Sequence, residues 1–440
     1  MSKENQTDVT PSYAWPCLVV SLLAAISLVF EWMWLPGVTF PVFKTWLSAN
    51  NSLFADPSNF ALLKNVMGLV PIGALIMALP ASIIVRKVGA KITTLIGMAI
   101  SLVGALVSAF AVGPNFYIFL VGRFISGLGL STTAVAGPTC VSIWFPDSTR
   151  GRAMAIWSVW APVAIFISNL VNDSVYKLVG ENIETLQLVW AAAILLFGII
   201  FAIVFRSPRE DERSQVSPER KPLKEVLQYF KSRPLWCLII MFAIFNFMNY
   251  AFSQYLKTWM QIPVANGGLG WEAGPAGLVG GAICACGVLA PIGGIILDKT
   301  PKSKKFLCIV VGICALTICC AFSFKATMFI PYAIFFCIGN MMLNGCCRPM
   351  VPSFVYKGGQ TAVAFGLAIF TLCQYAGQIA TSYVTASFSN NLSEAAAGTA
   401  TVDPMLAFWA LVPIGIIGCL LSVGSKQSKP KEIEAKPEEK

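Results

Sequence analysis

The sequence predicts an all-α membrane protein of twelve transmembrane helices in two six-helix bundles. Three observations carry this prediction. Hydrophobic residues make up 56% of the 440 residues and charged residues only 12%, with a mean hydropathy of +0.72, whereas a soluble domain carries roughly 25% charged residues. Twelve apolar runs have the length of a membrane span. The longest polar segment between them, Arg206 to Pro234, holds eight Lys/Arg and five Asp/Glu and divides the runs six and six.

A span needs ~20 mostly apolar residues. After a short polar N-terminus (Met1–Pro11) with no basic n-region or cleavage site, the candidates of the first half are 14–37, 62–85, 92–112, 116–144, 153–175 and 186–205. Those of the second are 235–258, 274–297, 306–324, 330–355, 361–388 and 404–424. The expected organisation is an N-terminal bundle (1–205), a cytoplasmic central loop (206–234), a C-terminal bundle (235–424) and a disordered cytoplasmic tail (425–440).

Charge asymmetry orients the spans. With both termini cytoplasmic, the inner segments hold 24 of the 31 Lys/Arg, and the outer ends only Lys44, Lys64, Lys177, Lys257 and Lys325. This is the positive-inside pattern. It accounts for the net charge of +10 without a nucleic-acid partner. The expected setting is the plasma or inner cell membrane, with the chain multi-pass in the bilayer.

There is no histidine, which removes the commonest general base and metal ligand. The 14 cysteines lie in apolar stretches, among them Cys284, Cys286, Cys319, Cys320, Cys346 and Cys347. They read as small packing residues, so neither disulfide framework, metal site nor cofactor is expected.

The loop after the second span reads LPASIIVRKVGAKI. It resembles the G-x-x-x-D-R-x-G-x-K motif of the major facilitator superfamily. Ser82 stands at the first glycine, Arg86 at the acid, Lys87 at the base, Gly89 at the second glycine and Lys91 at the last base. The matching loop after the eighth span, GGIILDKTPKSKK, keeps Gly294, Asp298 and Lys299, with Pro301 at the second glycine. The fourth span opens GRFISGLGLS, similar to the family's R-x-x-x-G with Arg123 and Gly127. The fifth keeps the proline of a G-P pair as Pro162, after Ala161. The resemblance implies pseudo-twofold bundles around a central cavity, alternating access, and a gating role for Arg86, Lys87, Gly89, Lys91, Gly294, Asp298 and Lys299. The simpler reading of the basic loop residues is that they only set topology.

Charged side chains inside spans are costly and mark functional candidates. Arg123 lies two turns into the fourth span. It either attracts an anion or couples to a proton site, or it snorkels or forms a structural ion pair. Arg348 is intramembrane if the tenth span runs to Val355 and a loop residue if it ends near Cys347. Glu31, late in the first span, is the leading protonatable group. Desolvation raises a carboxyl pKa and a neighbouring arginine lowers it, a competition that proton coupling can exploit. The plainer reading of Glu31 is an ion pair or an interfacial residue. Asn246, Asn249, Tyr250 and Gln254 lie on the seventh span, the first three on one face, and Gln374, Tyr375 and Gln378 share one face of the eleventh. They line a cavity or form interhelical hydrogen bonds. The glycines Gly277, Gly280, Gly281, Gly127 and Gly129 allow close helix approach.

These residues together predict a monomeric secondary transporter of a small organic anion, a mono- or dicarboxylate, by proton symport or anion exchange. The substrate-binding set is Arg123, Arg348, Asn246, Asn249, Tyr250, Gln374 and Gln378, with Glu31 as the proton-coupling group. Arginine suits bidentate carboxylate capture. An exporter of amphipathic compounds and, further off, a non-transporting membrane sensor remain alternatives. Nothing resembles the paired aspartates, zinc ligands or activated serine of an intramembrane enzyme.

Overall fold

The computed structural model describes residues 10–145, 147–208, 228–355 and 359–426, and among them there is no strand. Most of the expected central loop and tail lies outside the described residues.

The first span is broken. It comprises α1 (Ala14–Trp32), the short α2 (Trp34–Val38) and α3 (Phe40–Asn50). Pro36 causes the first break: it has no N–H to donate to Trp32 O, so the helix stops there. The second falls at Thr39, whose φ of 93° is left-handed. Spans two and three run on as one helical segment, α4 (Lys64–Ala111), turned at Gly89. With φ 83° and ψ 168°, Gly89 occupies a conformation that a side chain would strain. The fourth span is α5 (Phe116–Ser142). The fifth divides into α6 (Asp147–Ser158) and α7 (Trp160–Leu178), three residues before Pro162, which cannot donate to Ser158 O. The sixth is α8 (Ile183–Val204).

The second half follows the same plan. Its seventh span is α9 (Arg233–Gln261). The eighth is α10 (Ala273–Cys284) and α11 (Ala290–Lys299), joined by a 3-10 turn. Then come α12 (Lys305–Phe322), α13 (Phe329–Val355), α14 (Gly359–Val384) with its extension α15 (Ala386–Ala396), and α16 (Pro404–Gly424). Arg348 therefore lies within a helix and not in a loop.

Ten segments among the described residues are long and apolar enough to cross a membrane. Two expected spans are missing from that set: 153–175 is divided at Val159, and the side chains at the start of 361–388 lie outside the described residues. Their polar side chains turn inward: Asn169, Asn172, Gln378, Thr381 and Ser382 are all buried. With these two the fold has twelve membrane helices in two bundles.

The bundles meet where α4 packs on α14 and where α7 packs on α10. These are spans 2 with 11 and 5 with 8. Exchanging the halves maps one pair onto the other, so the seam is itself pseudo-twofold. Small residues make these approaches possible. A Cβ at Gly277 would meet the carbonyl of Asn169 across the seam, and one at Gly127 would collide with the carbonyl of Val70 inside the first bundle. An even number of spans leaves both chain ends on one face, called here the terminal face; the opposite one is the distal face. At the terminal face the Tyr13 hydroxyl donates to Val204 O (2.6 Å), and Arg206 lies over the rings of Tyr13 and Trp144.

One cysteine expectation is corrected. Cys286 and Cys337 are joined as a disulfide, with Cα atoms 5.1 Å apart. They are 51 residues apart in sequence, and only the packing of the broken eighth span on α13 brings them together.

Overpacking a close helix contact costs about 1–3 kcal/mol. Gly127→Val should therefore lower the thermal unfolding midpoint of the purified protein, whereas Gly274→Ala, with open space around it, should not.

Candidate functional site

The break in the first span leaves backbone carbonyls without helical partners. Side chains from other helices take them. Arg123 of α5 donates through Nη2 to Trp32 O (2.8 Å) and through Nη1 to Glu31 O (2.8 Å) and Glu31 Oε1 (2.7 Å). Its Nε donates to Val66 O at 3.3 Å. Arg123 is wholly buried and Glu31 nearly so. The guanidinium thus caps the C-terminal end of α1, where a cation is favoured, while the Glu31 carboxylate balances its charge. Ser126 lies beside Glu31.

The same broken segment binds two more helices. The Ser168 hydroxyl of α7 donates to Met33 O at 2.8 Å, and Asn172 links Ser168 to the Trp190 indole N–H. Lys257 of α9 donates to Gly37 O and, at 2.9 Å, to Asn169 O. Lys257 is 3% exposed. Sequence reasoning placed it among the outer-end lysines that only report topology; the structure buries it in the seam, bonded to two carbonyls of the other bundle. The signal for it was its position three residues after Gln254 and seven after Tyr250, on the same helix face.

Other contacts also seal the distal side. The Tyr250 hydroxyl donates to Met67 O at 3.4 Å. That carbonyl is vacant because Pro71 has no N–H to offer it. Tyr383 donates to Asn65 Oδ1 at 3.2 Å. Trp32 packs on Tyr250 with ring centroids 5.5 Å apart. Trp32 Nε1 and Gln254 Nε2 lie near the Tyr250 hydroxyl but have no well-formed hydrogen bond.

Nearer the terminal face lies Arg348, seven residues before the end of α13, or about 10 Å along the helix. It is exposed. Its Nη2 donates to Gln374 Oε1 at 3.1 Å. It sits near Tyr375, which lies beside Ser131 of the first bundle. Arg348 thus faces the seam and is open to solvent, while the distal side is closed. Among the described residues no carboxylate pairs with it.

The predicted residues therefore fall into two groups. Glu31, Arg123, Tyr250 and the lining residue Gln254 converge distally, with Trp32 and Ser126, which sequence reasoning had not selected. Arg348 and Gln374 meet toward the terminal face. Asn246 is buried and donates to its own helix at Phe242 O (2.9 Å). Asn249 Oδ1 and Gln378 Oε1 have no partner. The two arginines are not repeat equivalents: α5 and α13 both have 27 residues, and in register Arg123 matches Phe336 and Arg348 matches Val135.

The profile of the Major Facilitator Superfamily matches residues 20–382. The chain belongs to the Major Facilitator Superfamily. Among solved structures it is similar to a bacterial homologue of the human lysosomal transporter Spinster, in an inward-facing and unoccupied conformation. There the TM-score is 0.65 and the identity 14%, over 96% of this chain and 100% of that one. A D-xylose–proton symporter gives a TM-score of 0.67 at 14% identity, over 94% and 97%. At such identities the likeness shows the fold. Among curated proteins, sugar transport protein MST7 of Oryza sativa subsp. japonica is 36% identical over 109 residues, 25% of this chain and 21% of that protein. Solute carrier family 49 member A3 of Danio rerio is 24% identical over 222 residues, 48% and 44%. The matches thus span from about a fifth to under half of those relatives.

The superfamily's loop motif lies at the terminal face. Lys87, Asp298 and Lys299 are exposed, Lys91 and Gly294 half-buried, and Gly89 makes the α4 turn. The Arg86 side chain is outside the described residues. In this superfamily fold the terminal-face motif copies sit exposed while the distal side of the seam is bonded shut.

Removing one partner of a buried ion pair costs about 3–5 kcal/mol. Arg123→Ala should sharply lower the unfolding midpoint and folded yield. Glu31→Gln/Arg123→Met should recover part of the loss: it removes the uncompensated carboxylate but leaves the α1 carbonyls unbonded. A double variant no more stable than Arg123→Ala would show that the charge pairing is not what holds the site.

Proposed function

We propose that this superfamily member is a secondary active transporter of a small organic anion, a mono- or dicarboxylate, working by alternating access. The observation that carries the reading is Arg348: a solvent-accessible guanidinium inside a span, at the seam, held by one neutral amide and with donors left for a ligand. A cation in such a place is costly without an anionic partner, and a carboxylate supplies one with bidentate geometry. In this reading the terminal face is cytoplasmic, as the positive-inside pattern supports, and the protein is a monomer in the plasma or inner cell membrane, open inward. Transport outward requires the distal bonds of Lys257, Tyr250 and Tyr383 to break.

Glu31 is the proposed proton-coupling group. Protonation would remove its charge from Arg123, but the guanidinium would keep its bonds to Trp32 O, Glu31 O and Val66 O. The site can therefore change charge without losing its hydrogen-bonded frame. In this proposal Glu31 and Arg123 act together, and Asn249, Tyr250, Gln374 and Gln378 line the route, with Asn246 supporting it from within α9.

A second reading is transport of a neutral hydroxylated solute. The unpaired amide oxygens of Asn249 and Gln378 favour it, and the sugar-transporting relatives share that class. Hydrogen bonds to a charged group contribute about 1.5–3 kcal/mol. Arg348→Ala should therefore lower the affinity for a carboxylate about 10- to 100-fold, read as lost uptake in proteoliposomes and lost thermal stabilisation by a panel of carboxylates, amines and sugars. Carboxylate uptake undiminished in Arg348→Ala, or stabilisation by sugars alone, would favour the neutral solute.

Glu31→Gln mimics the protonated carboxyl. It should abolish the dependence of uptake on an imposed pH gradient while sparing counterflow exchange. Unaltered pH dependence would remove Glu31 from the coupling role.

A further inference from the structure

The distal face carries a cavity of about 140 Å³ that shares only Gln254 with the two groups of residues above. Its walls come from both bundles. The first bundle supplies Lys44 of α3 and Lys64 at the start of α4. The second supplies Gln254 of α9, Ser382 of α14, and Ser389 and Asn390 of α15. The helices α3 and α15 are extensions of spans 1 and 11 beyond their breaks, and they pack on each other. The cavity thus lies in the distal mouth of the seam, above the contacts that seal it.

Three observations define its chemistry. First, its charges are of one sign. Lys44 and Lys64 line it, no carboxylate does, and neither ammonium is in an ion pair among the described residues. Asp56, close by in sequence, has its carboxylate engaged by Ser58 N at 2.9 Å. Second, the ammoniums are positioned by rings: Lys44 Nζ lies 4.5 Å from the Phe60 centroid and Lys64 Nζ 5.9 Å from that of Tyr383. Third, the floor holds buried polar groups without partners. Gln254 is 1% and Ser382 2% exposed, and Gln254 Nε2 and Ser382 Oγ have no hydrogen bond. Buried polar atoms of this kind are normally satisfied by protein, water or ligand.

We propose that this cavity binds a small carboxylate at a site separate from Arg348. Its size suits one: a cavity of ~150 Å³ holds a six-atom ring. The carboxylate oxygens would accept from Gln254 Nε2 and the Ser382 hydroxyl, with Lys44 and Lys64 at the rim. Because the ligand would touch both bundles, its binding favours the distally closed state, as any ligand favours the state that binds it better. The proposal stands whether or not the central site transports anions.

The test uses the full-length purified protein with Ser387→Cys, an exposed position lining the cavity. The probes are a negatively and a positively charged methanethiosulfonate, each normalised to its rate with a free small thiol, and the unsubstituted chain gives the background. Focused charge raises encounter rates tenfold or more, so the anionic reagent should label about tenfold faster, and malonate should slow it. Lys44→Gln/Lys64→Gln should erase both the preference and the malonate protection, while Arg348→Ala should leave both intact. Equal rates for the two reagents, or protection that survives the double lysine change, would overturn the proposal. Protection lost in Arg348→Ala would also overturn it, because malonate would then be acting from the central site. That result would leave the anion reading of Arg348 standing. Conversely, protection at the distal site with undiminished uptake in Arg348→Ala would sink the central reading alone.

Discussion

Arg123 holds this structure together at the point where its first span comes apart. A proline inside a membrane helix leaves a carbonyl that lipid cannot satisfy. At Pro36 that carbonyl is Trp32 O, and Arg123 reaches across from the fourth span to take it, together with Glu31 O and Val66 O. The charge this brings into the interior is then matched by Glu31. Once those groups are in place, the rest of the broken segment must find partners as well. Ser168 and Lys257 supply them, so the break ties the first span to spans four, five and seven at once.

The arrangement has a conformational consequence. A continuous helix keeps its hydrogen bonds internal and is indifferent to its neighbours' movement. A broken one depends on them. Here Arg123 and Ser168 belong to the same bundle as the break, whereas Lys257 and Tyr250 reach over from the other. The first pair can move with the bundle as a rigid body. In the proposed alternating access the second must let go, which would place the reversible bonds on the distal side and the permanent ones within the bundle. The glycine contact of Gly277 against Asn169 O keeps the α7–α10 seam close enough for Lys257 to span it.

Much of the candidate site was legible because charge in an apolar run is conspicuous. Glu31, Arg123 and Arg348 stand out in the sequence, and the first two do meet. Their grouping was not legible. The expected substrate-binding set put both arginines together, but a register of 27 residues against 27 sets them at different depths. Lys257 was misread because a lysine near the end of a span reaches solvent in most helices. Here the partner bundle covers it, and two carbonyls replace water. Trp32 carried no signal: a tryptophan near an interface is ordinary, and its role depends on which neighbours leave its N–H group unmet.

The sequence by itself determined twelve spans, their six-and-six division and the superfamily, because lipid imposes length and apolarity on every span and duplicated loop motifs survive in order. The helix breaks at Pro36 and Pro162 have a local cause, a missing N–H, although the expected spans ran through both. Tertiary structure decided which carbonyls those prolines freed for which side chains, that Cys286 meets Cys337, that Lys257 is buried and Arg348 open, and that the seam pairs spans 2 with 11 and 5 with 8. These follow from contacts between residues far apart in the chain, where burial and hydrogen-bond satisfaction are properties of the packed whole and not of any one span.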